Sequence, residues 1–277
     1  MSADAPESVR PLHPRLAGAL VFFASGAVLV LEIVGLRLVG PYVGVTLQTS
    51  SAVIGVALAA IAYGAWSGGW LADRVDPRRM IGPALLAAAV TTAVTVPVVR
   101  WAGELLRGTE AGNVVMLAVL ALFLPAALLS AVTPLVIKLQ LDDLRVTGRV
   151  VGRLSSVGTL GAITATLGTG FVLVRALPTS VIVLVLAGLT GALGVWLSLR
   201  FGVRGSRRGR VATALVGFAA AGMAAIAPTP CDVETAYHCA RVTTDPARPT
   251  GRVLWLNSAR HSYVDLADPS YLEFAYA

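Results

Sequence analysis

Charge is what this sequence has least of. Asp, Glu, Lys and Arg make up 13% of its 277 residues, about half the share of an ordinary soluble domain. A water-soluble chain so poor in charge would expose large contiguous apolar patches, so that class is excluded. Lysine is almost missing, with Lys138 the single example. Cysteine is confined to Cys231 and Cys239. Their spacing fits no standard zinc pattern and His238 alone would not complete a ligand set, so no metal is expected.

What is present in abundance is apolar length. Hydrophobic residues reach 56% and mean hydropathy is +0.77. A spanning helix needs about 20 predominantly apolar residues, and stretches of that kind fall at 16–39, 50–72, 80–99, 113–137, 154–174, 177–199 and 211–227. They are continuously apolar rather than alternating, which argues against a β-barrel. The fold class expected is an all-α polytopic membrane bundle of about seven transmembrane helices with a short C-terminal β-hairpin segment. Its parts are a tail at 1–15, the helical domain at 16–227 and the β segment at 228–277. The first stretch is too long for a cleaved signal core, so it is expected to stay as a helix.

Positive charge sits in every second connection. Arg10, Arg15, the 74–79 arginines, Lys138 with Arg145, Arg149 and Arg153, and the 200–210 arginines total fourteen on one side. Arg100, Arg107 and Arg175 are the three on the other. The positive-inside rule then predicts a cytoplasmic N-terminus and, after seven crossings, an extracytoplasmic tail. These anchors account for the formal net charge of +7, and no nucleic-acid surface is read from it. The wealth of Ala, Gly, Val and Arg points to a GC-rich bacterial genome, hence a bacterial cell membrane. The seventh stretch is the weakest, being short and rich in Ala and Gly. Cys231 and Cys239 just beyond it suit a disulfide in an oxidising compartment, with two free thiols as the alternative.

Inside the membrane, Glu32 is costly unless paired or hydrated. It reads either as a substrate or proton site, or as an assembly residue paired with Arg37 or a neighbouring helix. In the fifth stretch Gly158, Gly161, Ala165 and Gly168 form a small-residue face for close helix contact, and Pro125 and Pro134 interrupt the fourth. The run from Gly69 through Asp73 and Arg74 resembles the short cytoplasmic loop after the second helix of major-facilitator transporters. There a Gly permits close packing and Asp and Arg pair across helix ends. The same residues also read as a plain positive-inside stop.

The tail alternates polar and apolar residues. Strands are expected near Thr235–Thr243, Arg252–Asn257 and Ser262–Leu266, with a Pro/Gly-punctuated loop between the first two. So few strands cannot bury a core alone and need a larger neighbour.

Glu234-Thr235-x-Tyr237, Arg252-Val253-Leu254-x-Leu256-Asn257, His261-Ser262, Asp265, Asp268-Pro269 and Leu272-Glu273-Phe274-x-Tyr276 resemble the small N-terminal β-domain of spermidine synthases. The similarity is to the membrane-fused group, which Glu32-Ile33, Arg37-Leu38, Pro41, Gly44 and the Gly69–Arg74 loop also resemble. That resemblance implies a polyamine aminopropyltransferase family whose co-substrate, decarboxylated S-adenosylmethionine, is held by a Rossmann-like domain. The domain is expected to be missing from this chain, which would leave no catalytic residue and no cofactor here. His261 stands about where soluble relatives place a substrate-contacting Gln, and Tyr271 near their Tyr-His-Glu segment, so both are candidate substrate-binding residues. Leu272 stands where that segment's His would fall, and His does not reproduce the paired donor and acceptor of Gln.

Three functions follow. The chain is the membrane part of a spermidine-synthase-like transferase, not catalytic alone; or a transporter of polyamines or another small solute that depends on Glu32; or a non-catalytic scaffold docking a partner through its β-tail. Expected partners are the lipid bilayer and a separate Rossmann-like domain or a second copy of the chain.

Overall fold

The computed structural model describes residues 12–141, 144–201, 219, 222–223, 226–235, 237–268 and 270–274. Six helices in it are long and apolar enough to cross a membrane: α1 Pro14–Val43, α2 Leu47–Ala72, α3 Pro77–Leu105, α4 Ala111–Lys138, α5 Thr147–Ala176 and α6 Thr179–Arg200. Most run past the apolar stretches that announce them, because a polar residue at a helix end faces headgroups or water while the backbone ladder continues. The seventh stretch, 211–227, lies largely outside the described residues.

Small residues set the packing, as expected where lipid removes the hydrophobic drive between helices. Helices α1 and α5 run parallel, with Gly18 facing Val157 and Gly26 facing Gly161 and Ala165. A Cβ on Gly161 would stand 2.2 Å from the Phe22 carbonyl oxygen, so the two backbones touch. Gly158 belongs to this face, whereas Gly168 meets nothing within 4 Å among the described residues. Helices α2 and α4 are also parallel, through Gly64 on Ala127 and Gly68 on Ala131. Helix α6 runs antiparallel to α3: Ser198 packs on Gly82, and at the other end Ser180 accepts from Arg100.

Helix α4 is irregular for an identifiable reason. Pro125 has no N–H to offer the Ala121 carbonyl, and Thr95 Oγ1 donates to that oxygen instead at 3.3 Å. The segment Val119–Phe123 just before Pro125 widens into a π-turn, and a second break at Ala131 precedes Val132–Lys138, which contains Pro134. The helix bends its ladder without being severed.

The tail is a five-stranded antiparallel meander in chain order: β1 Val233–Glu234, β2 Cys239–Asp245, β3 Arg248–Leu256, β4 Ala259–Asp265 and β5 Leu272–Phe274. This corrects the three-strand expectation. The gap between Val242 and Arg252 is mostly strand, with the turn confined to Pro246–Ala247. A register shift at Thr244/Asp245 leaves Pro249 opposite no ladder partner on β2, where its missing N–H costs nothing. The expected Thr235–Thr243 strand is instead a reversal at Thr235–His238 followed by β2. The sheet's own core is thin: Cys239, Gly251, Val253, Tyr263 and Asp265 are its buried residues among those described.

Candidate functional site

The larger neighbour that the sheet needs is the bundle itself. The connections 44–46, 106–110 and 177–178 lie at one end of the bundle, and the sheet docks on that end. The hairpin tip between β3 and β4 is Asn257–Ser258, with Asn257 at φ 57°, a left-handed geometry that Asn tolerates. Its neighbour Ser258 reaches the α1–α2 connection, where its Oγ sits 2.8 Å from the place a Gly44 Cβ would occupy. Gly44 itself has φ 81°, so a side chain there is excluded twice.

Beside this contact is a latch. Arg37, on the last turns of α1, donates from Nη2 to Glu234 Oε1 at 3.4 Å and to the Thr235 carbonyl at 2.7 Å, and from Nε to Thr179 Oγ1 at 3.4 Å. Thr179 opens α6, so its N–H has no partner within the helix. That N–H donates to Glu234 Oε1 at 2.9 Å, and the Thr179 hydroxyl donates to the same oxygen. One carboxylate oxygen thus gathers a guanidinium, a hydroxyl and a helix N-terminal amide. The pair is well shielded, with side chains 18% and 23% exposed.

The segment carrying Glu234 is cross-linked to the sheet. Cys231 and Cys239 are joined by a disulfide with Cα atoms 5.2 Å apart, closing the loop around β1. Within it Thr235 Oγ1 accepts from the His238 N–H at 2.9 Å. Cys239 N–H donates to Asn257 Oδ1 at 3.0 Å, and Asn257 Nδ2 lies 3.2 Å from His238 Nδ1. Bundle end and sheet enclose a cleft of about 240 Å³. Arg37, Arg100, Thr179 and Ser180 line it from the bundle, and Asp232, Glu234, His238 and Asn257 from the tail. Its volume is below the usual range for drug-sized ligands and suits a small solute.

The residues singled out from sequence are scattered by the fold. Glu32 lies half-buried on α1 and, among the described residues, has no hydrogen-bond or ion-pair partner; Arg37 engages Glu234 in its place. His261 sits on β4 and Tyr271 at the opposite end of the β4–β5 ladder, and neither lines the cleft. Tyr271 donates to Glu273 at 2.7 Å and meets the Tyr263 ring edge-on at 5.9 Å; the Glu273 carboxylate pushes its phenol above the ordinary tyrosine range. At the far end of the bundle Asp73 pairs with Lys138 at 2.7 Å. That hydrogen bond holds the Asp73 carboxyl below the usual range. Arg74 folds back on Trp70, donating to its carbonyl and lying 3.8 Å over its ring. Gly68 rather than Gly69 makes the tight approach to α4; among the described residues a Cβ on Gly69 would meet only Pro134, at 4.0 Å.

Sequence reasoning missed Arg100, Thr179, Ser180 and Asn257 as a group. Arg100 was visible only as a charge in a connection, and a Thr after a Pro at a helix start is an ordinary N-terminal signal. Among the described residues no three or more His, Cys, Asp or Glu side chains gather as a metal ion would need. Comparison of the chain with protein-family models, with curated proteins and with solved structures returned no significant match.

Proposed function

We propose that this chain is the membrane platform of a spermidine-synthase-like protein, seating a β-sheet at the mouth of a helical bundle where a Rossmann-like domain would dock. The observation that carries the reading is the meander itself, five strands in chain order latched to the bundle through Arg37 and Glu234. Its last strand, β5, exposes Leu272 and Phe274, leaving an open edge suited to strand addition or sheet packing. Aminopropyl transfer from decarboxylated S-adenosylmethionine, a cytosolic metabolite, would belong to a docked domain only with a cytoplasmic tail. With an extracytoplasmic tail, the resemblance describes the platform and not that chemistry.

The proposed topology has a cytoplasmic N-terminus, a seventh crossing at 211–227 and an extracytoplasmic tail. Two features support it. Helix α6 ends at Arg200 beside the start of α3, whereas Thr229 and Pro230 line the cleft at the opposite end. The basic residues Arg74, Arg78, Arg79, Lys138 and Arg200 gather at the first of those ends. A periplasm-dependent reporter fused after Phe274 should be active, and an inactive one would reverse the topology.

The docking reading is tested by mixing the nanodisc-embedded chain with a separately purified spermidine-synthase Rossmann-like domain. A complex that disappears when Leu272 and Phe274 are changed to Lys is expected. Absence of any complex at micromolar concentrations would sink the platform idea. The carboxylate of Glu32, which has no partner among the described residues, favours a second reading, transport of a cationic solute. On that reading Glu32→Gln abolishes putrescine uptake into vesicles at unchanged protein level, whereas equal uptake would remove it.

A further inference from the structure

The seat of Glu234 has the construction of an oxyanion site. A single carboxylate oxygen receives the Thr179 amide, the Thr179 hydroxyl and the Arg37 guanidinium. All three donors come from the bundle, whereas the carboxylate comes from the tail. The seat opens onto the 240 Å³ cleft, and Arg100, hydrogen-bonded to Ser180 at 3.2 Å, lines the same cleft. Remove the tail's carboxylate and the bundle presents two guanidinium groups beside a helix N-terminus, an arrangement that favours anions.

We propose that the bundle mouth is a binding site for a small oxyanion, carboxylate or phosphate, and that Glu234 is its tethered resident competitor. Ligand entry and release of the β1 segment are then one exchange: the oxyanion takes the three donors as Glu234 leaves them. Cys231–Cys239 keeps Glu234 close, so its effective concentration at the seat is on the order of millimolar or higher. Free oxyanions therefore bind the intact chain weakly. This inference does not rest on the family reading, and a chain that docks no Rossmann-like domain would retain the site.

The test uses the whole chain in phosphatidylcholine nanodiscs, titrated calorimetrically with succinate and with inorganic phosphate. Glu234→Ala should bind one of them at least tenfold more tightly than the wild type, and adding Arg37→Gln should cancel the gain. Repeating the titration in phosphatidylglycerol separates the two sources of the group. A lipid headgroup in the seat would abolish the soluble binding and leave Arg37-dependent retained lipid in native mass spectrometry. Equal affinity of wild type and Glu234→Ala with no such lipid, or a gain that survives Arg37→Gln, would overturn the proposal. Folding is followed by resistance of Cys231 and Cys239 to alkylation. If Glu234→Ala loses it, the wild type decides: saturating succinate or phosphate should speed proteolysis at β1 several-fold, and an unchanged rate in both overturns the site.

Discussion

The bundle and the sheet are stabilised by opposite means. The bundle packs backbone against backbone: Gly64 on Ala127, Gly68 on Ala131 and Gly161 on Phe22 leave no space for a single added methyl. The sheet buries few side chains of its own and relies on a disulfide, a shielded ion pair and a borrowed surface. In lipid, helices gain little from hiding apolar surface, so close approach and dispersion decide. In water, a five-stranded meander of this size has too little core to stand alone, so covalent and polar ties replace it.

Breaking the bundle should have the largest effect. Gly64→Ala places a Cβ 2.1 Å from the Ala127 carbonyl oxygen. The helices must separate, at a cost of about 3 kcal/mol, the upper end for overpacking. Thermal unfolding in detergent should show it, with Gly55→Ala, which meets nothing within 4 Å among the described residues, as the silent control. An unchanged melting temperature for Gly64→Ala would refute the α2–α4 contact.

Cutting the disulfide comes next and should spare the bundle. Closing so short a loop constrains the unfolded chain by about 2.5 kcal/mol. Cys231→Ser with Cys239→Ser should therefore render β1 and β2 protease-sensitive while the helices melt as before. If helices and sheet lose stability together, the two regions are not separately held.

Arg37→Gln should cost about 2 kcal/mol of docking, between the value of an exposed pair and that of a fully buried one, since Glu234 keeps its partly shielded charge but loses its guanidinium. Hydrogen exchange at Val233 and Glu234 should rise while exchange in β3 and β4 stays slow. Uniform exchange across the sheet would contradict a local latch.

The smallest effect is an acid one. Asp265 is 7% exposed and accepts hydrogen bonds from the Thr250 hydroxyl and the Ala267 N–H, which hold its carboxyl below the ordinary 3.8. A depressed folded-state pKa adds stability that is complete above the unfolded value and fades as pH falls through the folded one. The sheet should loosen only below about pH 4, and Asp265→Asn should flatten that dependence in tyrosine fluorescence.

How much was legible depended on range. The six helices could be read because twenty apolar residues in a row have few other uses. The Gly158–Gly161–Ala165 face was legible for a similar reason, since spacing along one helix is a local property. Its extent was not, because Gly168 carries the same spacing but meets nothing within 4 Å among the described residues. Alternation revealed strands in the tail but not their number, because β1 and β5 are two and three residues long and owe their pairing to neighbours. Arg37 was noticed and its partner missed: a residue five positions away along the same helix was the candidate, whereas the one chosen lies 197 positions on.

The sequence by itself determined a helical membrane chain, the close-packing stripe on α5, the confinement of both cysteines to one short segment and the alternating tail, because each depends on composition or short spacing; the structure decided that the cysteines pair. Only the tertiary structure decided that the tail folds back onto the bundle mouth and that Arg37, Thr179 and Glu234 meet. Those contacts join three distant segments through single side chains, and no local pattern encodes which distant carboxylate a guanidinium will find.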